Sequence, residues 1–183
     1  MSPRTISIVL LKTVLAVIAI SSVSSCSGQV STDRPANSAA PASAATPKTI
    51  TPAELSDIKW IEGAWKGTGD VEKPFFELYR FENESTLAVD SFDDESLGKV
   101  TETSRFALKD GQFASTGEGS RWAAADVTKD SITFAPIAKA RNTFTWRKKS
   151  DDAWEAVLEW PPAEGKPATR RVYQMTRIPL PKK

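Results

Sequence analysis

The chain has 183 residues, with 24 Lys and Arg against 23 Asp and Glu, one cysteine and no histidine. So even a charge balance is not the electrostatic footprint of a nucleic-acid binder. Without histidine no Ser-His-Asp or Cys-His catalytic arrangement can be assembled, and a single cysteine allows neither an intramolecular disulfide nor a thiolate zinc site.

In chain order, residues 1–25 show a basic start (Arg4, Lys12), an apolar stretch from Thr13 to Ile20 and small residues up to Ser25. This is the layout of a secretory signal peptide, and the apolar run is shorter than the about 20 residues that a membrane-spanning helix needs. It ends in Val23-Ser24-Ser25-Cys26-Ser27. That run resembles the lipobox of bacterial lipoproteins, in which the cysteine becomes the lipidated first residue of the mature protein. The resemblance implies membrane lipid on Cys26 and a place in the cell envelope. Ser27, where Asp would signal retention, implies the outer membrane, facing the periplasm. Loss of Arg4 and Lys12 with the signal leaves 22 basic against 23 acidic side chains. Residues 26–50 are dominated by Ser, Ala, Pro and Thr with no aromatic side chain, so they read as a flexible linker.

All 16 aromatic residues fall between Trp60 and Tyr173, which makes residues 51–183 the folded domain. It opens on Thr51-Pro52-Ala53-Glu54, a capping threonine, a proline at the first helical position and a glutamate three residues after the cap. The pattern predicts a helix of one or two turns through about Ile58. Alternating apolar and polar residues then predict strands over 75–81, 86–90, 99–106, 131–134, 143–146, 153–160 and 169–178. Breaks fall at Asn83, Asp93-Asp94, Asp110-Gly111, Gly117 to Gly119, Lys129-Asp130, Asp151-Asp152 and Pro161 to Gly165. Eight to ten short strands with this spacing predict an all-β antiparallel up-and-down barrel preceded by a short helix.

The run Trp60-Ile61-Glu62-Gly63-Ala64-Trp65-Lys66-Gly67-Thr68-Gly69 resembles the Gly-x-Trp first strand of lipocalins and other calycin barrels, and is similar to the opening of nitrobindin-type barrels. The resemblance implies a lipocalin-like fold. It also implies a structural pair in which Arg177, late in the last strand, packs across Trp65. Nitrobindin-type proteins hold haem iron through histidine, so here the likeness carries no haem, and no cofactor or metal is expected.

Two strand faces mix polar groups with rings. Glu77 and Tyr79 share a face with Phe75 and Phe81, and Arg171, Tyr173, Met175 and Arg177 share one face of the last strand. Convergence of Trp65, Phe75, Glu77, Tyr79, Arg171 and Tyr173 inside a barrel predicts a pocket for a small apolar or amphiphilic ligand, bound without catalysis. If Glu77 and Arg171 point inward, each needs a partner. The alternative is an envelope structural or protein-interaction module with a solid barrel core. Asp93-Asp94-Glu95 and Asp151-Asp152 fall in turns, where a solvated surface explains them. Gly67-Thr68-Gly69 and Gly117-Glu118-Gly119 are too short for phosphate-binding loops.

Overall fold

A computed structural model describes residues 46–69, 73–163 and 165–180. The expected signal peptide, Cys26 and the expected linker as far as residue 45 lie outside the described residues.

Thr51 caps helix α1 (Pro52–Asp57). Its hydroxyl accepts from the Glu54 amide at 3.2 Å, while the Glu54 carboxylate accepts from the Thr51 amide at 2.8 Å. This reciprocal box satisfies donors that a helix start leaves open. A 3-10 turn comes next, at Lys59–Ile61. Leu55, Ile58 and Ile61 are buried in the same apolar cluster as Trp65 and Trp154, so the helical segment plugs one end of the sheet structure built by the rest of the domain.

That sheet is a closed antiparallel barrel of ten strands. They are β1 (Gly63–Thr68), β2 (Phe75–Asn83), β3 (Thr86–Phe92), β4 (Val100–Lys109), β5 (Gln112–Ser115), β6 (Arg121–Thr128), β7 (Ser131–Ala138), β8 (Thr143–Ser150), β9 (Ala153–Trp160) and β10 (Thr169–Ile178). Each strand pairs with the next, and β1 pairs with β10 to close the ring. The architecture is compatible with a lipocalin-like fold.

Strands β5 and β6 have no counterpart among the strands predicted from sequence. The alanines of β6 pack little surface into either face, and a bulge between Ala124 and Asp126 interrupts its alternation. Strands β9 and β10 have the predicted bounds, whereas β2, β3, β4, β7 and β8 run on past the end of their apolar pattern. In β8, for instance, Arg147 and Lys149 both reach Glu155 at 3.1 Å, so the solvent face is paired by charge.

The connections divide the barrel into two unlike ends. At the plugged end the strands turn within two residues, at 84–85, 110–111, 129–130 and 151–152. At the other end the links are longer: 69–74, 93–99, 116–120, 139–142 and 161–168.

The weakest seam lies between β5 and β6, which share one register pair, Ala114 and Ala123. Ser115 mends it, its hydroxyl accepting from the Trp122 amide at 2.9 Å. The chain before α1 mends it too. The Lys48 amide donates to the Ala124 carbonyl at 2.9 Å, and the Ile50 amide to the Gly111 carbonyl at 2.7 Å. Residues 48–50 are therefore tied to the barrel wall, because they satisfy backbone groups of β6 and of the turn before the short β5.

Candidate binding site

Register places the side chains. Trp65 lies opposite Glu77 on β2 and Arg177 on β10, Glu77 lies opposite Ser91, and Ser91 lies opposite Glu102 on β4. Residues directly opposite one another share a face. Trp65 is buried in the core, so Glu77, Ser91 and Glu102 point into the barrel with it. The same reasoning turns Phe75, Tyr79, Ser104, Trp160, Arg171 and Tyr173 inward.

The plugged half of the interior is filled. Tyr79 packs edge-on against Trp146 at 5.6 Å and Trp154 at 5.5 Å between ring centres, and Phe106, Phe134 and Phe144 continue the cluster. Ten strands enclose more room than the eight that side chains just fill, and here large rings take up the excess.

Trp65 belongs to this packed floor. Its indole N–H donates to the Ile61 carbonyl at 2.7 Å, and the guanidinium carbon of Arg177 lies 4.1 Å from its ring centre. Arg177 also donates to the carbonyls of Glu62 and Asp151, both at 2.9 Å, and of Trp60 at 3.3 Å. One side chain thereby binds the plug, the first strand and the β8–β9 turn together. Gly63 makes the approach possible, since a Cβ there would collide with the Arg177 guanidinium.

The loop half is different. Phe75, Glu102, Ser104 and Trp160 face inward yet are only half-buried, and Arg171 is exposed. The Phe75 ring lies over Gly67, where a Cβ would overlap it, and the Tyr173 ring lies 3.0 Å from where a Gly69 Cβ would stand. The two rings meet edge-on at 5.5 Å. Gly67-Thr68-Gly69 is thus a seat for two aromatic side chains. Glycine is required because the rings occupy the space of its missing side chains.

Glu77 sits below this rim, 2 % exposed, and accepts from the Tyr79 hydroxyl at 2.7 Å. Burial pushes its carboxyl up to about 7; the Tyr79 hydrogen bond opposes the rise and the nearby Glu102 charge adds to it. Tyr79 is held well above its ordinary value, by burial first and then by the Glu77 charge. Arg171 stands at the rim with its guanidinium carbon 5.8 Å from the centre of the Trp160 ring.

The structure therefore gathers Phe75, Glu77, Tyr79, Arg171 and Tyr173 on one interior wall and sets Trp65 in the floor. Sequence reasoning missed Glu102 and Trp160. The alternation Glu102, Ser104, Phe106, Leu108 marks the β4 face, but only the register across β3 brings Glu102 to Glu77. Asp90 and Arg105 both turn outward. Asp90 takes a hydrogen bond from Arg80 Nε at 3.1 Å, and Arg105 pairs with Glu82 at 3.0 Å.

Among the described residues no helix is long and apolar enough to cross a membrane. No family model matches the sequence, and no curated protein matches it.

Proposed function

We propose that the protein is a lipid-anchored envelope lipoprotein whose barrel binds a small amphiphilic molecule at its loop end, without chemistry. The observation that carries this reading is the contrast between the two ends. One is plugged and filled with rings, whereas the other presents inward-facing, half-buried aromatic and polar side chains. A concave, mostly aromatic surface with a few converging polar groups is what orients an amphiphile. Because the floor is packed as high as Tyr79 and Trp146, the site is shallow and takes a compact ligand. The export segment and Cys26 supply the anchor in this reading, with residues after Cys26 as tether and the outer membrane as the destination.

The packed floor also suits the second reading, an envelope structural module whose longer loops contact another protein. Native mass spectrometry of the protein purified from its own host separates the two. A retained small molecule, released when the loop half is altered by Phe75→Ala, is the expected result. A homogeneous unliganded mass, together with a co-purifying protein lost on loop substitution, would favour the structural module.

A further inference from the structure

We infer that the outer wall of strands β10, β1, β2 and β3 is a self-association surface, on which a second copy of this chain packs in the opposite orientation. Register places the side chains. Trp65 and Glu77 point inward, so Ala64, Lys66, Phe76 and Leu78 beside them point out. Ile178, Ala64 and Leu78 then lie side by side across β10, β1 and β2, and Phe76, Phe92 and Val100 across β2, β3 and β4. Leu97, from the 93–99 link, joins Ala64, Phe92, Phe76, Leu78 and Ile178 in an apolar cluster separate from the barrel core.

This strip is open at both ends. Among the described residues the exposed large apolar side chains are Val100, at 47 %, and Leu180, two residues past Ile178, at 59 %. Beyond the strip the outward positions of the same strands are charged, as in the Arg80 and Asp90 pair at 3.1 Å. A contiguous apolar surface rimmed by polar groups marks an interaction site.

The charges decide the partner. At the loop end of the strip Asp93, Asp94 and Glu95 are exposed and outnumber Lys66 and Lys99. At the plugged end Asp151 and Asp152 already face Lys148 at 2.8 Å and Arg177 at 3.4 Å, and Leu180 is followed in sequence by Lys182 and Lys183. Chain geometry alone keeps the Cα of Lys182 within about 8 Å of that of Leu180. The strip is therefore acidic at one end and basic at the other. Half a turn about its middle sets each end on its opposite, which is the condition for an isologous pair. The anionic surface of a bilayer would instead repel the acidic end.

The test uses the full-length protein, and none of its outcomes bears on the ligand-binding reading. Sedimentation velocity in density-matched maltoside micelles should give two chains per particle at micromolar concentration. Val100→Asp and Leu180→Asp should each weaken association about a hundredfold or more, since the pair would bury an unpaired charge. The unfolding midpoint should not move, because both positions are exposed in the single chain. Reversing Asp93 and Asp94 to Lys should weaken association about fivefold, and adding Lys182→Glu and Lys183→Glu should restore it. In membranes a short bismaleimide should join Val100→Cys on one copy to Leu180→Cys on another, and neither to its own kind; the parent, with Cys26 alone, is the control.

One chain per particle at every concentration, association that survives both aspartates, no restoration by the charge exchange, or self-joining of Val100→Cys would overturn the inference. A single chain held by lipid vesicles, or by a different protein, through the same two side chains would overturn it as well.

Discussion

Replacing Glu77 by Gln should make the protein more stable in mild alkali and leave it unchanged in acid. The folded state holds the Glu77 proton up to about pH 7, whereas the unfolded chain releases it near 4.5. Between these values the folded protein binds the extra proton, so stability falls as pH rises. The contribution is fully present below pH 4.5 and gone above about 7. Each pH unit of that interval corresponds to about 1.4 kcal/mol, which makes the loss about 3 kcal/mol. Glutamine keeps a carbonyl oxygen to accept from the Tyr79 hydroxyl but has nothing to ionise. The measurement is urea unfolding of both proteins at pH 4.5, 6 and 8, compared as a difference so that other titrations cancel. Glu54, for example, is held down to about 2 in the folded state chiefly by the Thr51 backbone hydrogen bond, and titrates only in the unfolded chain, equally in both proteins. The variant's advantage should grow from near zero to about 3 kcal/mol at constant m-value. An advantage that does not change with pH, or a variant weaker than the parent at pH 8, would refute the assignment of burial as the cause. A carboxyl kept at this cost in stability where a neutral isostere fits is the kind of exchange that a binding site makes.

Arg177→Met should cost about 2–4 kcal/mol, because it removes three bonds to backbone carbonyls and the contact with Trp65; thermal unfolding and loss of Trp65 near-ultraviolet dichroism would register it. Gly67→Ala should displace the Phe75 ring and weaken binding of the proposed amphiphilic ligand about tenfold, while the unfolding midpoint moves far less than for Arg177→Met. Should the midpoint fall as far instead, the ring seat is part of the core and not of the site. Cys26→Ala should move the protein from the membrane to the soluble fraction on cell fractionation, since the proposed lipid is its anchor.

Much of the fold can be read from local pattern. The Thr51 and Glu54 box, the period-two alternation of β2 and β10, and the turn pairs at 110–111, 129–130 and 151–152 are set by residues within a few positions of one another. Such short-range preferences act in the chain itself. That Glu77 shares a face with Tyr79, and Tyr173 with Arg171, is legible for the same reason, since alternate residues share a face wherever a strand forms; that these faces turn inward is not. The meeting of Arg177 with Trp65 was implied by the likeness of the first strand to calycin barrels, not by any local signal. What only the tertiary structure decided is which distant faces meet and which end stays unfilled. Glu102 reaches Glu77 through the register of two strand pairs, and β5 and β6 exist because the ring must close around them. The plugged end is sealed by residues from Ile50 to Ile61, whose apolar side chains are buried only against the rings inside the barrel. These outcomes depend on the volume that ten strands enclose and on where large rings fill it, and that is a property of the closed barrel rather than of any segment of the chain.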